Sequence, residues 1–587
     1  MEIESVKSGR VTYLMLRYMR RPLLVVIAVY AISMVGWMLI PGVDADGKPE
    51  KLSLFHAFYF LTYTVTTTGF GELPHAFTEG QRMWAVVSLY AGVIAWFYAL
   101  GSIVGLVQNP DFQQSLAERQ FAKRVRQISD PFVIICGFGN TGALLARGLS
   151  DNGMTVIVVE KDAERVRTLT LRDYRTQVYA LCADARLPVH LIEAGLLKPN
   201  CEAVVALTRN EELNLKIAVT ARLLNPNIQV VIQSMSEIYE DTLATLGANL
   251  HIIDPFQTYA KYLGAAINNP AIHTLNEWLA GTAGATLDQR IELPRGKWIL
   301  CDFRRMGRCL RESLECQEIS TVVIEPDPRP EDRDEKNLII GRADKARLLE
   351  AGIEDAAGVI AGTDSDADNL TILINAKALN PNVFLVVRQN RYRNQVVFEA
   401  AAADFNMMPS LVTARRILFL LTAPLLKTLF ETLLEKDIRG ANRFSDQVIE
   451  CLKGVVGGEQ PHLWTLNIDA KTSSAILPII SAGADVRLGQ LIGDPSDRSQ
   501  RLACVPLVLS TNRRAQILPE LSTQLHEGDQ ILFCGSAYAR RLLNATINNE
   551  YTLRYLMTGK DEPRGWIMSW LSRKWPLPSG QSERSVS

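Results

Sequence analysis

Twenty consecutive residues without a charge, Pro22 to Pro41 (PLLVVIAVYAISMVGWMLIP), constrain this chain more than any other feature. At 1.5 Å per residue, a helix of about 20 residues crosses the hydrocarbon core of a bilayer. Lipid offers no hydrogen-bond partners, so such a run must pair its own backbone as a helix. A second uncharged run, Met83 to Val107, has 25 residues (107 − 83 + 1). The first run is too long for the apolar part of a cleaved signal peptide and lacks an A-x-A cleavage site. The rest of the chain is different. Its 587 residues are 48% hydrophobic, and the mean hydropathy is only +0.05. Most of it is therefore soluble, with room for about four domains.

Basic residues set the orientation. Lys7, Arg10, Arg17, Arg20 and Arg21 precede the first run; Arg119, Lys123, Arg124 and Arg126 follow the second. Positive flanks stay in the cytoplasm. The sequence thus predicts a multi-pass protein of the cell (inner) membrane with cytoplasmic N- and C-termini. The connection, residues 42–82, is then external. It carries Asp44, Asp46, Glu50, Glu72 and Glu79 against Lys48, Lys51 and Arg82. This acidic excess attracts cations.

Inside that connection, Leu52 to Thr67 (LSLFHAFYFLTYTVTT) is too apolar for an ordinary loop and too short for a span. It reads as a re-entrant helix capped by Ser53. It runs into Thr66-Thr67-Thr68-Gly69-Phe70-Gly71-Glu72. Two spans around a short helix and a T-x-G-[YF]-G element resemble the pore of potassium channels. A dehydrated cation needs a cage of oxygens, and alternating glycines let successive carbonyls point at one axis. The resemblance makes Thr67, Thr68, Gly69, Phe70 and Gly71 a selectivity filter, with potassium as the permeant ion. It also implies a homotetramer and an aromatic cuff at Tyr59 and Phe60. Thr68 departs from the family, which has valine or isoleucine there, and a non-selective monovalent cation channel is the alternative. Gly92 interrupts the second span. It reads either as a gating hinge, as in the family, or as a point of close helix packing.

After a polar helical linker over 112–128 comes Pro131-Phe-Val-Ile-Ile-Cys-Gly-Phe-Gly-Asn-Thr-Gly142. A buried strand (132–136), G-x-G-x-x-G, a helix through Leu149 and a second strand (Thr155 to Val159) ending at Glu160 form a dinucleotide-binding fingerprint. Gly137 makes the turn, Gly139 admits a pyrophosphate beside Asn140 and Thr141 at the helix N-terminus, and Gly142 packs helix on strand. Glu160 is placed to bind ribose hydroxyls, which favours NAD or ADP. Asp184, after the third strand, is placed to face the adenosine.

The chain then repeats itself. Glu193-Ala-Gly-Leu196 recurs as Glu350-Ala-Gly-Ile353, and Leu224-Asn-Pro-Asn227 as Leu379-Asn-Pro-Asn382. Cys136 to Gly142 aligns with Cys301 to Gly307, and Glu160 with Glu325. In the second copy Asp302 and Arg304 replace Gly137 and Gly139, which spoils it for a dinucleotide. The tandem pair resembles the domains that regulate potassium conductance, the RCK or KTN domains, and the resemblance covers most of residues 1–540. It implies a ring of such domains that gates the pore when ligand binds. Some members bind calcium at acidic clusters; Asp364, Asp366 and Asp368, with Asp344 nearby, are the candidates here. Alternate carboxylates suit calcium, and they equally suit a solvated helix cap.

Residues 412–436 hold only ten uncharged residues between Arg416 and Lys427, so a third span is not expected; an amphipathic helix kinked at Pro424 is. Residues 462–540 resemble the small β-rich module that follows these domains, and His526-Glu-Gly-Asp529 reads as a tight turn into a buried strand. Trp566, Trp570 and Trp575 lie in a basic tail suited to a membrane surface or to packing. The expected fold class is a membrane α-helical pore domain (two spans plus re-entrant pore helix), then tandem α/β Rossmann-like domains, then a small C-terminal α+β module. The domains are 1–111, 112–290, 291–445, 446–560 and a tail over 561–587.

Other functions fit less well. The 62 basic and 63 acidic residues balance to −1, which argues against nucleic-acid binding. Nine scattered cysteines form no C-x-x-C pair and suit a reducing cytosol. A membrane-tethered NAD-dependent oxidoreductase would need an acid or base facing the nicotinamide, and none is in evidence, so no enzyme is expected. A regulatory subunit for a separate transporter would have no pore. The resemblance implies instead a ligand-gated channel, opened or closed by a ring of domains that bind an adenine nucleotide and, in some members, calcium, with the membrane, potassium and copies of itself as partners.

Overall fold

The computed structural model describes residues 2–43, 48–71, 76–235, 249–279, 285–288, 290, 292–435, 438–457, 462–470, 472–511 and 514–560. Asp44, Asp46, Glu72 and the tail tryptophans lie outside them. The chain divides into two compact units, Met1–Ile128 and Ser129–Ser587. The division falls after the polar linker helix.

In the first unit, α1 (Glu2–Leu39) and α3 (Glu79–Gln108) carry the two uncharged runs. Both are long and apolar enough to cross a membrane. Between them, β1 (Gly42–Val43) pairs antiparallel with β2 (Pro49–Glu50), and α2 (Leu54–Val65) is the short helix expected from its composition; Ser53 caps it by accepting from His56 N at 3.3 Å. A capping box of Thr78 and Gln81 starts α3. The two long helices approach closely at Gly36, where a Cβ would strike the Trp84 ring at 2.1 Å. Their tryptophans cross-bond: Trp37 Nε1 donates to Ser88 Oγ and Trp84 Nε1 to the Ser33 carbonyl. The polar helix α4 (Pro110–Gln127) follows.

The second unit holds two six-stranded parallel sheets and one antiparallel sheet. The first is β3 (Phe132–Cys136), β4 (Thr155–Glu160), β5 (Val178–Cys182), β6 (Cys201–Ala206), β7 (Gln229–Gln233) and β8 (Leu250–Ile253), ordered β5-β4-β3-β6-β7-β8. Its helices include α5 (Asn140–Asp151), α6 (Ala163–Thr170), α7 (Pro188–Glu193) and α8 (Glu211–Leu224). The order reverses between β4 and β6, on either side of β3, which opens a crevice at the strands' carboxyl ends. The second sheet repeats the plan with β9 (Trp298–Cys301), β10 (Thr321–Glu325), β11 (Leu338–Ile340), β12 (Gly358–Ala361), β13 (Phe384–Arg388) and β14 (Phe405–Met407).

The two sheets exchange helices. After β8, α9 (Pro255–Asn268) puts Phe256, Ala260 and Leu263 into a core with Trp298, Met306 and Leu310 of the second sheet and its helix α11 (Arg305–Glu315); α10 (Pro270–Leu279) follows α9. Within the second sheet, α12 (Lys345–Glu350), α13 (Asp366–Leu379) and α14 (Gln395–Ala400) connect strands. After β14, α15 (Pro409–Thr422) returns Ala414 and Ile417 to the core of the first sheet. A Cβ on Gly148 of α5 would sit 3.0 Å from Leu418, so glycine lets the returning helix lie close.

Around Pro424 the chain turns by 115° into α16 (Leu425–Glu435). The expected kink is thus a full break. Leu426, Leu429, Phe430 and Leu433 are buried in a core with residues of α10, α17 (Ile438–Val456) and the C-terminal sheet. Helix α17 runs across the domain boundary expected at 445/446. The last sheet is β15 (His462–Asn467), β16 (Cys504–Thr511), β17 (Arg514–Ile517) and β18 (Gln530–Gly535), ordered β15-β18-β16-β17 and antiparallel. The turn into β18 is as expected, with Gly528 at φ +88° and His526 N donating to Asp529.

Candidate functional site

Two sites were expected, and each lies in its own unit. In the membrane unit, α2 ends at Val65 and the chain enters the segment expected as a filter with alternate left-handed residues: Thr67 at φ +57°, Gly69 at +65° and Gly71 at +70°. Glycine makes that conformation easy at two of the three positions, whereas a β-branched threonine there is a strained outlier. Backbone bonds hold the strain. Thr68 N and Gly69 N both donate to the Tyr63 carbonyl, at 2.8 and 3.2 Å. The Thr66 hydroxyl donates to the Thr62 carbonyl at 2.7 Å and lies 3.0 Å from the Thr68 hydroxyl. The Thr68 side chain is therefore bonded to a neighbouring hydroxyl, in line with the helix end.

The aromatic support differs from expectation. The ring that meets Phe70 edge-on, at 6.3 Å, belongs to Tyr63. Tyr59 packs on Tyr63, and Phe60 on Trp37 and Phe77. The i, i+4 and i+3 steps from Tyr59 and Phe60 to Tyr63 were available in the sequence as one helix face. Gly92 is buried, and a Cβ there would lie 2.4 Å from Val65 Cγ2. This contact with the end of α2 fits the packing reading of the glycine, and α3 is helical throughout.

In the soluble unit, the fingerprint glycines divide the work as expected. Gly137 has φ +103°, and a Cβ would meet the Leu207 carbonyl at 2.9 Å. A Cβ on Gly142 would strike the Gly137 carbonyl at 2.3 Å. Gly139 is different. It has ordinary backbone angles (φ −81°), and a Cβ there would meet no described atom within 4 Å. It caps α5 without any side-chain hydrogen bond, so the positive end of the helix is left for something else. Gly139, Asn140 and Thr141 line a cleft of about 600 Å³. Five arginines line it too, Arg165, Arg172, Arg209, Arg388 and Arg391, against a single carboxylate, Glu211. That balance, with the open helix end, fits the phosphates of a nucleotide.

Glu160 is engaged by the backbone. It is buried, and both carboxylate oxygens accept from backbone: Oε2 from Phe138 N at 2.5 Å and Oε1 from Asp162 N at 2.9 Å. Glu325 makes the same pair of bonds, from Phe303 N at 2.7 Å and Asp327 N at 3.1 Å, in the sheet that has lost its glycines. An acid kept in both copies for the same backbone bonds anchors the turn. Glu160 does not line the cleft, and neither does Asp184. Asp184 accepts from Arg186 N at 3.0 Å and lies 3.6 Å from Lys161 Nζ. Burial pushes its carboxyl up, but Arg186 and Lys161 outweigh that and leave it below the usual range.

The expected calcium cluster is corrected. Asp364 is held by Arg304 and Arg388, each at 2.7 Å. Asp366 accepts from Asn390 N, Arg391 N and Asn394 Nδ2 and so ties down the loop after β13. Asp368 N donates to Ser365, and Asp344 caps α12. The carboxylates of Asp364, Asp366 and Asp344 are each held by different partners and do not form one donor set. Among the described residues no group of three His, Cys, Asp or Glu could hold a metal ion.

Arg165, Arg172, Arg209, Arg388, Arg391 and Ser410 were not singled out from sequence. The last three come from the second repeat, some 250 residues after the glycines, and only the helix exchange brings them to the cleft.

Comparisons with known proteins agree with this division. Residues 24–109 match the family model described as ion channel, and residues 133–255 and 298–409 match the TrkA-N domain. Potassium channel protein 1 of Methanocaldococcus jannaschii is 24% identical over 201 residues, covering 34% of this chain and 58% of that protein. Probable potassium channel protein 2 of the same organism is 26% identical over 207 residues, covering 35% and 59%. The chain thus spans less than two thirds of the length of these curated relatives. The solved structure titled GsuK channel bound to NAD aligns at 15% identity with a TM-score of 0.43, covering 92% of this chain and 99% of that one.

Proposed function

From a chain that joins an ion-channel domain to two TrkA-N domains, and so is not an enzyme, we propose a potassium channel gated by an adenine nucleotide. The observation that carries the ion pathway is the run of left-handed residues at Thr67, Gly69 and Gly71 directly after α2. Left-handed residues at alternate positions turn successive carbonyls to the same side, which is the lining a dehydrated cation needs. Four copies close such a lining into a pore, and the working molecule is a homotetramer in the cell membrane with both termini in the cytoplasm. Thr68 is bonded to Thr66 and leaves the carbonyls to select potassium over sodium.

The ligand is NAD or ADP, held at Gly139, Asn140 and Thr141. The open Cβ position of Gly139 and the uncapped α5 are what support this. Such a ligand supplies only charge and contacts; it shifts the channel by binding its two states unequally. Covalent order provides the coupling, because α4 alone separates the second membrane helix from β3. Bending of α3 near Gly92 belongs to the same reading.

Purified protein in liposomes tests the pore. Size-exclusion chromatography with light scattering should give four copies, and potassium gradients should drive a larger flux than equal sodium gradients. Equal fluxes would instead make it a non-selective cation channel.

A further inference from the structure

The helix exchange places the start of each crossing helix beside the turn that follows the first strand of the other sheet, and the two junctions are filled differently. At the second sheet the protein closes the junction with its own charges. Arg305 donates to Asp254, which precedes α9, through Nε at 2.8 Å and Nη2 at 2.7 Å. Arg304 reaches Asp364 at 2.7 Å. At the first sheet no such closure is seen among the described residues. Gly139, Asn140 and Thr141 share a cleft with Arg388 and Arg391 from the end of β13 and with Ser410 from the start of α15.

Two polar atoms of that opposite wall have no protein partner although solvent does not reach them: Arg388 Nε and Ser410 Oγ. The Arg388 side chain is only 11% exposed. It is held in place by Asp364 at 2.7 Å, by the Gly362 carbonyl at 3.2 Å and by stacking on Phe256 at 4.7 Å. A fixed guanidinium with one idle N–H, an idle hydroxyl and the nearby Arg391 form a receptor for a phosphate-like anion. A buried donor without a partner is normally avoided, so these atoms point to a ligand group.

We infer that the first-sheet site is a clamp between the two Rossmann sheets, selective for adenine nucleotides with at least two phosphates. This rests on the nucleotide reading above and adds the second wall to it. One phosphate takes the α5 N-terminus, and the next is met by Arg388, Arg391 and Ser410. The ligand thereby does for the first junction what the Arg305–Asp254 pair does for the second.

Calorimetry on the full chain in detergent, with ADP and AMP, tests the clamp. Wild type should bind ADP about tenfold more tightly than AMP or better. Arg391→Ala and Ser410→Ala should each shrink that ratio while AMP affinity stays unchanged, and Arg388→Lys, which keeps a charge for Asp364, should do the same. Gly139→Asp should lose both nucleotides. ADP and AMP binding wild type equally, with both lost in Gly139→Asp, would overturn the clamp and leave the glycine site standing. Variants with an undiminished ADP preference would also overturn it. Wild type binding neither nucleotide would sink both readings.

Discussion

Asp302 stands in the second sheet where Gly137 stands in the first, and its environment has a measurable consequence. Burial, then the facing Glu325 and Asp364, push its carboxyl up to about 7, against the backbone N–H of Arg304 and the charge of Arg388. Unfolded, the same group titrates near 4. Between those values the folded chain holds a proton that the unfolded chain has released, so stability falls as pH rises. The contribution is complete below about pH 4 and gone above about pH 7. Asp302→Asn keeps the hydrogen-bond acceptor and removes the titration. It should flatten the fall in thermal midpoint of the soluble unit between pH 5 and pH 8. By linkage the gain at pH 8 is at most about 4 kcal/mol. A variant with an unchanged pH slope would show that Asp302 is not the group responsible. At the filter, Thr68→Val removes the hydroxyl bonded to Thr66. A neutral hydrogen bond of that kind contributes about 1 kcal/mol. If the carbonyls do the selecting, as proposed, the reversal potential under mixed potassium and sodium should move only slightly; a collapse or a steep rise of selectivity would put the hydroxyl in the ion's path.

At the scale of elements, α3 and α2 meet where Gly92 faces Val65, and this contact separates two explanations of one glycine. A methyl at position 92 would overlap Val65 Cγ2. Gly92→Ala should therefore disturb the end of α2 and reduce conduction, and adding Val65→Ala should restore it by opening space. If the double variant stays impaired, the glycine is needed for bending rather than packing. Such elements were legible because lipid and parallel sheets impose simple patterns. An uncharged run of 20 residues has one outcome in a bilayer, and an apolar pentapeptide before G-x-G-x-x-G has one common outcome in a soluble domain. Side-chain assignments that depend on a third element were less legible. Tyr63, not Tyr59 or Phe60, meets Phe70, because the direction of α2 relative to the filter decides which ring faces it. The break at Pro424 is larger than a kink because Leu426 to Leu433 follow a different core from Ala414 and Ile417.

For the whole molecule, the sequence repeat revealed two Rossmann sheets but not their exchange of helices, since nothing local marks α9 and α15 as belonging to the other sheet. That is why the arginine wall stayed hidden, and why the proposed site was read from the glycines, above all Gly139. In the proposed function a nucleotide at Gly139 controls an ion pathway in the same chain. Coupling of about 1–3 kcal/mol per site would change the open–closed equilibrium roughly 5–150-fold, and four sites compound it. Gly139→Asp is a clean probe, because the position has room for a side chain and ordinary backbone angles. Single-channel recording in potassium, with ADP or NAD added to the cytoplasmic face, tests the claim most directly. Wild type should change its open probability with nucleotide, while Gly139→Asp conducts with the same unitary current and ignores it. A Gly139→Asp channel that keeps the wild-type response, or a wild-type channel indifferent to both nucleotides, would contradict it.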